Sequence, residues 1–561
     1  MKISHLNISD KKVPLTGLNV IVGPNGAGKT TLLKDLHSEF TGFNSGLVSK
    51  WTNLLDDNSF TASLHDWKDW KDSLEVVTGE SYSNNGKYYA DPKSMGRQNK
   101  PQKVKDTFVS EINYAINSSE GNLPRFSAVS SYATDIDRDI IKPFRDQRSV
   151  FMTVDDRFYI SNNNTGQHNV DTNNSIQPAP FLADNDDILK SINSKMNRLF
   201  GKKLFSESRS MSNFSLYVGG GEVAQPKRHT NLPRNYKKIA STFDAWVEDN
   251  KITGLQNEGH GVRAAAQVLY ELENDSNKII FLDEPEIHLY PSAKYLLGKF
   301  IGEYAQTGKK QVIVTTHDSD MLRGLIDANG VATIIRLGPD RSVKFAKDSE
   351  ISRTITSSVL QSAFLDAVIV TEGIGDQYVY EGVMQHIKLL PKRSYQVISM
   401  NGKESVAHCF YFFELLGIKY AAIYDFDALW HTNRTQNTLE SCLDQKKVTA
   451  VAKNSLLSTA QQINEFMKGK KDKKYGVNCS SLTDVQRQFI RQSLDDIAKE
   501  GIFISPMGEL ENWVGVDKNN GKEVASPEQI LKKYRGYSKS KYINLTNFII
   551  GVADHLEEQF S

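Results

Sequence analysis

Leu18-Asn19-Val20-Ile21-Val22-Gly23-Pro24-Asn25-Gly26-Ala27-Gly28-Lys29-Thr30-Thr31-Leu32-Leu33 is the stretch on which the rest of the chain is read. Its first five residues are an apolar run of strand length, and its last residues open a helical pattern. Between them, Gly23 to Thr30 matches G-x-x-x-x-G-K-[ST], a loop whose glycines let backbone N–H groups crowd around phosphates. The helix N-terminus adds a positive dipole end, Lys29 a full charge, and Thr30 a hydroxyl suited to Mg²⁺. Asn25, Gly26, Gly28, Lys29, Thr30 and Thr31 are therefore the candidate nucleotide-binding residues.

Outward from the loop, Ile279-Ile280-Phe281-Leu282 is a second buried strand ending in Asp283 and Glu284. Asp283 is placed to hold Mg²⁺ through water, and Glu284 to polarise an attacking water. Pro285, Glu286, Ile287 and His288 follow, and a third strand, Val312-Ile313-Val314-Thr315, leads to Thr316-His317-Asp318. The chain has 561 residues, enough for roughly three or four folding units. Its 68 Lys plus Arg balance 67 Asp plus Glu for a net charge of +1, and 39% of residues are hydrophobic. That excludes a disordered polyelectrolyte, a histone-like basic protein and a collagen-like rod. A local basic groove for nucleic acid remains compatible with a neutral total.

Cys409, Cys442 and Cys479 are odd in number and far apart, so neither a disulfide framework nor a CxxC metal knuckle is expected. The N-terminus shows no apolar signal region, and the greasiest stretch, Cys409 to Tyr424, holds Glu414 and Lys419 and is too short to span a bilayer. A cytoplasmic protein without membrane contact is expected.

Gly23–Thr30, the Leu282-Asp283-Glu284-Pro285 box and a histidine after the third strand resemble an ATP-binding-cassette (ABC) ATPase. The resemblance implies that His317 senses the γ-phosphate; a capping or core histidine is the other reading of its position. It also implies that two heads sandwich two ATP molecules, giving a homodimer or higher homo-oligomer through the heads. The signature loop of that family corresponds best to Asn257-Glu258-Gly259-His260-Gly261-Val262-Arg263, where Gly259 and Gly261 supply backbone donors. The usual serine is missing, with His260 or Glu258 in its place. Hydrolysis is then either slow, or ATP serves to hold the dimer. Between Lys29 and Asp283 the chain is long enough to carry an inserted helical or mixed subdomain, placed at about 50–245 and including an Asn-rich loop at Ser161–Gly166.

A second acidic set follows. Asp425 and Asp427 come directly after the apolar run Ala421-Ala422-Ile423-Tyr424. On an extended chain, residues two apart project to one face, at the end of a parallel strand where α/β sheets bind ligands. Neighbouring carboxylates repel, and a divalent ion is the usual remedy. Upstream, Val368-Ile369-Val370-Thr371 runs into Glu372-Gly373-Ile374-Gly375-Asp376, with Asp376 about one helical turn beyond Glu372. A solvated acidic turn is the plain alternative. The order strand–Glu-Gly-x-x-Asp, strand–Asn401-Gly402, helix, strand–Asp-x-Asp resembles the topoisomerase-primase (Toprim) fold, which implies Mg²⁺-dependent scission or synthesis of phosphodiester bonds. Near the end, Gly508-Glu509-Leu510-Glu511-Asn512-Trp513 resembles the late acidic motif of Toprim nucleases, with Glu511 the best match and Glu509 the alternative. Glu372, Asp376, Asp425, Asp427 and Glu511 would hold Mg²⁺ or Mn²⁺, beside Thr30 and Asp283 in the head. Lys539 or Lys541 is a candidate for neutralising transition-state charge. The run Lys468, Lys470, Lys471, Lys473 and Lys474, with Lys446, Lys447 and Lys453, is either a phosphate-backbone contact or a solvated helix end.

An ABC-type head followed by a Toprim domain in one chain resembles the overcoming-lysogenization-defect (OLD) nucleases. The expected architecture is α/β: an ABC-type ATPase domain over 1–355 with its inserted subdomain, then a Rossmann-like Toprim domain over 360–561 with a helical insertion at about 431–500. The resemblance implies ATPase activity and an ATP-regulated, metal-dependent DNA endonuclease, with Glu284, His317, Glu372, Asp425 and Asp427 as catalytic residues. It further implies an anti-phage role, in some members beside a companion such as a reverse transcriptase with its RNA–DNA product (a retron). A DNA-binding ATPase clamp of recombination or repair, without cleavage, is the alternative.

Overall fold

The structure is a computed structural model. It describes residues 2–9, 11–41, 149–153, 185–210, 213–223, 245–275, 277–328, 332–339, 341–351, 356–389, 394–400, 402–429, 438–515, 526–536 and 542–560, with 51, 54–55, 60–61, 179 and 182 besides. Much of the expected 50–245 insertion, with its Asn-rich loop, lies outside the described residues, as do Asn401, Lys539 and Lys541. The chain divides into two compact units where length alone suggested three or four. One is Met1–Val22, Gly28–Ile335 and Lys347–Glu350; the other is Gly23–Ala27, Arg336–Ala346 and Ile351–Ser561.

The larger sheet uses Leu18–Val22 (β1), Ser149–Thr153 (β2), Ile279–Asp283 (β3), Gln311–Thr315 (β4), Ala332–Leu337 (β5) and Val343–Lys347 (β6), in the order β6-β5-β1-β4-β3-β2. β1, β4, β3 and β2 pair in parallel. Every residue of β1, β3 and β4 is buried, which is why these strands read as near-continuous apolar runs and not as alternating ones. Register puts Ile21, Thr315, Asp283 and Thr153 in one row, so the carboxyl ends of four strands finish level. The helices of this unit include Lys29–Thr41 (α1), Asp186–Phe200 (α2), His260–Glu273 (α3), Pro291–Gln306 (α4) and Ser319–Asp327 (α5). α4 and α5 cross closely because the contact face is glycine: a Cβ on Gly298 would stand 2.5 Å from the Met321 carbonyl oxygen, and one on Gly324 would run into the Tyr295 carbonyl.

What is described of the insertion is mixed. α2 buries Leu189, Ile192, Met196 and Leu199, one stripe at helical spacing, and stops at Gly201, whose φ of 65° a side chain would resist. The chain then forms an antiparallel sheet from Lys202–Ser210, Asn213–Gly220 and Thr253–Gly254. β2 was not foreseen as a strand of the main sheet.

The second sheet uses Ala367–Thr371 (β7), Tyr395–Ser399 (β8), Lys419–Tyr424 (β9) and Ile502–Ile504 (β10), in the order β8-β7-β9-β10 and parallel throughout. Its helices include Ile374–His386 (α6), Lys403–Leu416 (α7), Thr438–Gln445 (α8), Ala450–Met467 (α9), Asp484–Ala498 (α10), Pro527–Arg535 (α11) and Ile543–Glu558 (α12). α8, α9 and α10 fill the expected helical insertion. One face of the sheet packs Ile369, Val397 and Ile423 against Val379, Val383, Ile530, Ile549 and Val552 from α6, α11 and α12. Arg336, 3% exposed, donates to the carbonyls of Ala363 (3.3 Å), Leu365 (2.7 Å), Leu416 (3.4 Å) and Gly417 (3.2 Å). It thereby serves carbonyls left over at the end of α7. Among the described residues no helix is long and apolar enough to cross a membrane. The three cysteines are free thiols, all buried.

Candidate functional site

The glycine loop bends as its composition requires, with φ of 144° at Gly23, 81° at Gly26 and 94° at Gly28. Asn25 and Gly26 are exposed at its crest, while Lys29 is 4% exposed at the start of α1. The Thr30 hydroxyl donates to Asp283 Oδ1 at 3.0 Å, and the Thr315 hydroxyl donates to the same oxygen at 2.6 Å. Burial raises the Asp283 carboxyl above its ordinary range, and the two hydroxyls oppose that rise. The expected Mg²⁺ residues of the head are therefore brought together.

Glu284 turns off the strand at φ 51°, in the left-handed region, held by its N–H to the Thr315 carbonyl (3.2 Å) and hydroxyl (3.1 Å). Its carboxylate meets His317 Nε2, and that hydrogen bond keeps its pKa below the usual value. A Glu–His pair beside an Asp that carries two hydroxyls can orient and polarise a water. The sequence reading overlooked Glu286. It is 4% exposed, and its Oε1 accepts from the Thr316 hydroxyl (2.6 Å) and the His317 N–H (3.0 Å). Asp318 caps α5 through Asp320 N–H (2.9 Å) and Met321 N–H (3.1 Å), and pairs with Lys294 at 2.7 Å.

At the expected signature loop, Gly259 caps α3 and Gly261 sits in its first turn, where a Cβ would stand 2.5 Å from the His288 carbonyl. Glu258 is engaged by Lys202 (2.6 Å) and Thr253 (2.8 Å), while the His260 ring faces His288 and meets Arg263 at 2.9 Å. Of the two stand-ins for the missing serine, His260 lies in the first turn of α3, and Glu258 is tied back to the insertion.

In the second unit Glu372 follows β7 and Asp425 follows the neighbouring β9; Asp425 N–H donates to Glu372 Oε1 at 3.0 Å. Asp376 turns back to the Gly373 N–H at 2.9 Å and caps α6. Asp427 departs from the extended-chain expectation, because β9 ends at Tyr424 and Phe426–Leu429 winds into a 3₁₀ turn. The carboxylates nevertheless converge. Burial, then the charges of Asp376, Glu372, Asp427 and Glu509, push the Asp425 carboxyl up to about 9. Glu509 is thus the late acid whose charge registers on Asp425, while Glu511, 8% exposed, lies on the same Leu510–Val514 turn. Among the described residues no three His, Cys, Asp or Glu form a ready cage for an ion, and Glu372 and Asp376 each accept from a backbone N–H. The donor set still fits a divalent cation, because four acids raising a fifth is repulsion such a charge relieves. Tyr380 and Tyr424, whose phenols feel these acids, are both buried.

Of the outlying lysines, Lys453 pairs with Asp444 (2.5 Å) and Glu440 (3.3 Å), and Lys446 lies over the Tyr420 ring at 4.2 Å, its pKa lowered by burial. Lys468 pairs with Glu465 (3.6 Å) and Lys470 donates to the Ser481 carbonyl (3.0 Å), so these four are engaged within the protein. Lys468, Lys470 and Lys473 follow the end of α9.

Comparison with known proteins bears on both units. A family described as an AAA ATPase domain matches residues 1–322, more than half of the chain, and one described as the Toprim domain of overcoming-lysogenization-defect-like proteins matches 364–427. The chain belongs to the OLD family. Its ATPase domain bears the Thr30–Asp283 and Glu284–His317 contacts, and its Toprim domain bears Glu372 and Asp425. The Old nuclease of Escherichia phage P2 is 23% identical over 312 residues, 49% of this chain and 52% of that protein. The chain thus spans about half the length of the curated relative it matches. Among solved structures, the Smc head bound to the C-terminal winged-helix domain of ScpA shares 12% identity with a TM-score of 0.33, over 62% of this chain and 98% of that one. RNase-L Inhibitor shares 10% with a TM-score of 0.21, over 98% and 86%.

Proposed function

We propose that this OLD-family chain is an ATP-regulated, divalent-metal-dependent DNA endonuclease that acts in anti-phage defence. The observation carrying the reading is the convergence of Glu372, Asp376, Asp427 and Glu509 on Asp425 at the carboxyl edge of β7 and β9. So many acids in one place are costly to folding and suit a site that gathers Mg²⁺ or Mn²⁺. When bound there, such ions supply charge stabilisation at a scissile phosphate and an acidified water. Glu372, Asp425 and Asp427 would hold them, with Asp376 and a late acid, Glu509 or Glu511, completing the set. The buried phenols of Tyr380 and Tyr424 stay neutral, which favours hydrolysis over attack by a tyrosine.

In the ATPase domain, Asn25, Gly26, Gly28, Lys29, Thr30 and Thr31 would cradle the phosphates. Thr30 and Asp283 would hold Mg²⁺, and Glu284 would orient water while His317 reads the γ-phosphate. The hydrogen bond from His317 keeps Glu284 ionised, as a water-orienting group must be. Gly259 and Gly261 at the start of α3 would meet the ATP of a second copy, so ATP-driven pairing of heads would govern cleavage. Plasmid incubated with Mg²⁺ or Mn²⁺, and with ATP, ADP or no nucleotide, tests this. Nicking by the wild type that is lost in Asp425→Ala and Glu372→Ala is expected. Equal nicking by either variant refutes the site, and tight DNA binding without cleavage under any metal favours an ATPase clamp.

A further inference from the structure

Glu286 is a buried acid for which the scheme above has no use. It sits two residues past Glu284, and its side chain folds back beneath the end of β4. One oxygen, Oε1, takes both the Thr316 hydroxyl at 2.6 Å and the His317 N–H at 3.0 Å. The other, Oε2, is fully buried and has no hydrogen-bond partner among the described residues. An ionised carboxylate rarely leaves an oxygen so placed, because the uncompensated charge is expensive. A neutral acid tolerates it. Burial accordingly raises this carboxyl to about 7, and the nearby charge of Glu284 pushes the same way.

The Thr316 hydroxyl also accepts from the Asp318 N–H at 3.1 Å. The Thr316 N–H reaches the Ile21 carbonyl at 3.3 Å, a long bond, and His317 then leaves the sheet. Glu284 itself sits at a positive φ, anchored by Thr315. The Glu284–His317 pair therefore spans two strand tips, and Glu286 joins the β3 tip to the residue that carries the imidazole. Asp318, next along, is committed to capping α5 and to Lys294.

We propose that Glu286 is a positioning residue for ATP hydrolysis, its Oε1 fixing Thr316 and the backbone of His317 so that the imidazole stays on Glu284. This rests on the ATPase reading of the head. Glu286 makes no hydrogen bond to Lys29, Thr30 or Asp283, so its role concerns the reacting water and leaves nucleotide affinity alone. Misplacing a reacting group by about an ångström costs roughly a hundredfold in rate.

The experiment is steady-state ATP turnover by the full chain, with kcat and KM separated and the binding of a fluorescent ATP analogue measured in parallel. Glu286→Ala is expected to lower kcat by about a hundredfold while KM and analogue affinity stay within about twofold. Glu286→Gln keeps an acceptor for Thr316 and His317 and a neutral second atom, so it restores kcat to near the wild-type value. Thr316→Val removes one of the two anchors and falls between; it decides the matter if Glu286→Ala does not fold in a thermal melt. Unchanged kcat in Glu286→Ala, equal losses in the Gln and Ala variants, or wild-type turnover in Thr316→Val each overturn the proposal. A wild type that binds the analogue but never turns over ATP would instead overturn the ATPase reading itself.

Discussion

Metal binding by the acidic cluster should climb with pH. Asp425 is pushed up to about 9 by burial and by four acidic neighbours. At pH 7, two units lower, only about one molecule in a hundred carries it ionised. A cation selects that form and displaces the proton, so its apparent affinity should rise about tenfold per pH unit well below 9, about fiftyfold from pH 7 to 9, and then level off. At pH 7 about one proton should leave per ion bound at Asp425. Titrating Mn²⁺ by calorimetry in two buffers of different ionisation enthalpy reads both quantities. Asp425→Asn should weaken binding and flatten the pH slope, because its amide has no proton to lose. Equal affinity at pH 7 and pH 9, or binding without proton release, would refute the claim that repulsion among these acids is what a cation relieves.

Other outcomes follow from geometry. Arg336→Met removes donors from four carbonyls at once and should cost about 2–4 kcal/mol in urea unfolding; a loss under about 1 kcal/mol would show those contacts to be weak. Gly324→Ala forces α4 and α5 apart against the Tyr295 carbonyl and should destabilise by about 1–3 kcal/mol, read as a lowered melting temperature. Glu271 is buried, and burial raises its carboxyl to about 7 from 4.5. The folded state therefore holds a proton that the unfolded state has released between those values, and stability should fall as pH rises from about 4.5 to 7, by on the order of 2 kcal/mol. Glu271→Gln should remove that slope, and a slope of the opposite sign would refute the assignment.

The fold was legible wherever two-sided burial leaves a mark. β1, β3, β4, β7 and β9 are mostly apolar because helices or loops cover both faces, and each was read as a strand. β2 was not: Val150-Phe151-Met152 is as apolar as its neighbours, but it stands alone in a polar region, and nothing local says that Phe151 pairs with Phe281. Strand order was likewise invisible, being set by contacts distant in sequence. At the sites, motif order assigned Thr30 and Asp283 to one ion, and their side chains are in hydrogen-bond contact; that Glu284 meets His317 was not read from the sequence. Spacing failed at Asp427, since alternation along an extended chain stops mattering where the chain begins to coil. It also favoured Glu511 over Glu509, two residues earlier at the cap of the same turn, whereas the charge that registers on Asp425 is that of Glu509. Glu286 was passed over because its work is done through backbone N–H and hydroxyl groups that belong to no motif. The only visible hint was an acid following Asp283-Glu284-Pro285 in an apolar setting.

The level row of Ile21, Thr315, Asp283 and Thr153 has a consequence for how such a chain can diversify. When reactive groups hang from ends of strands locked in register, whatever the polypeptide does between one end and the next is an excursion. Lengthening an excursion adds only logarithmically to its closing entropy. Whole modules can therefore be spliced between α1 and β3 while the distance from Thr30 to Asp283 is kept, so acquiring a new recognition element and retaining an old engine are physically separate events.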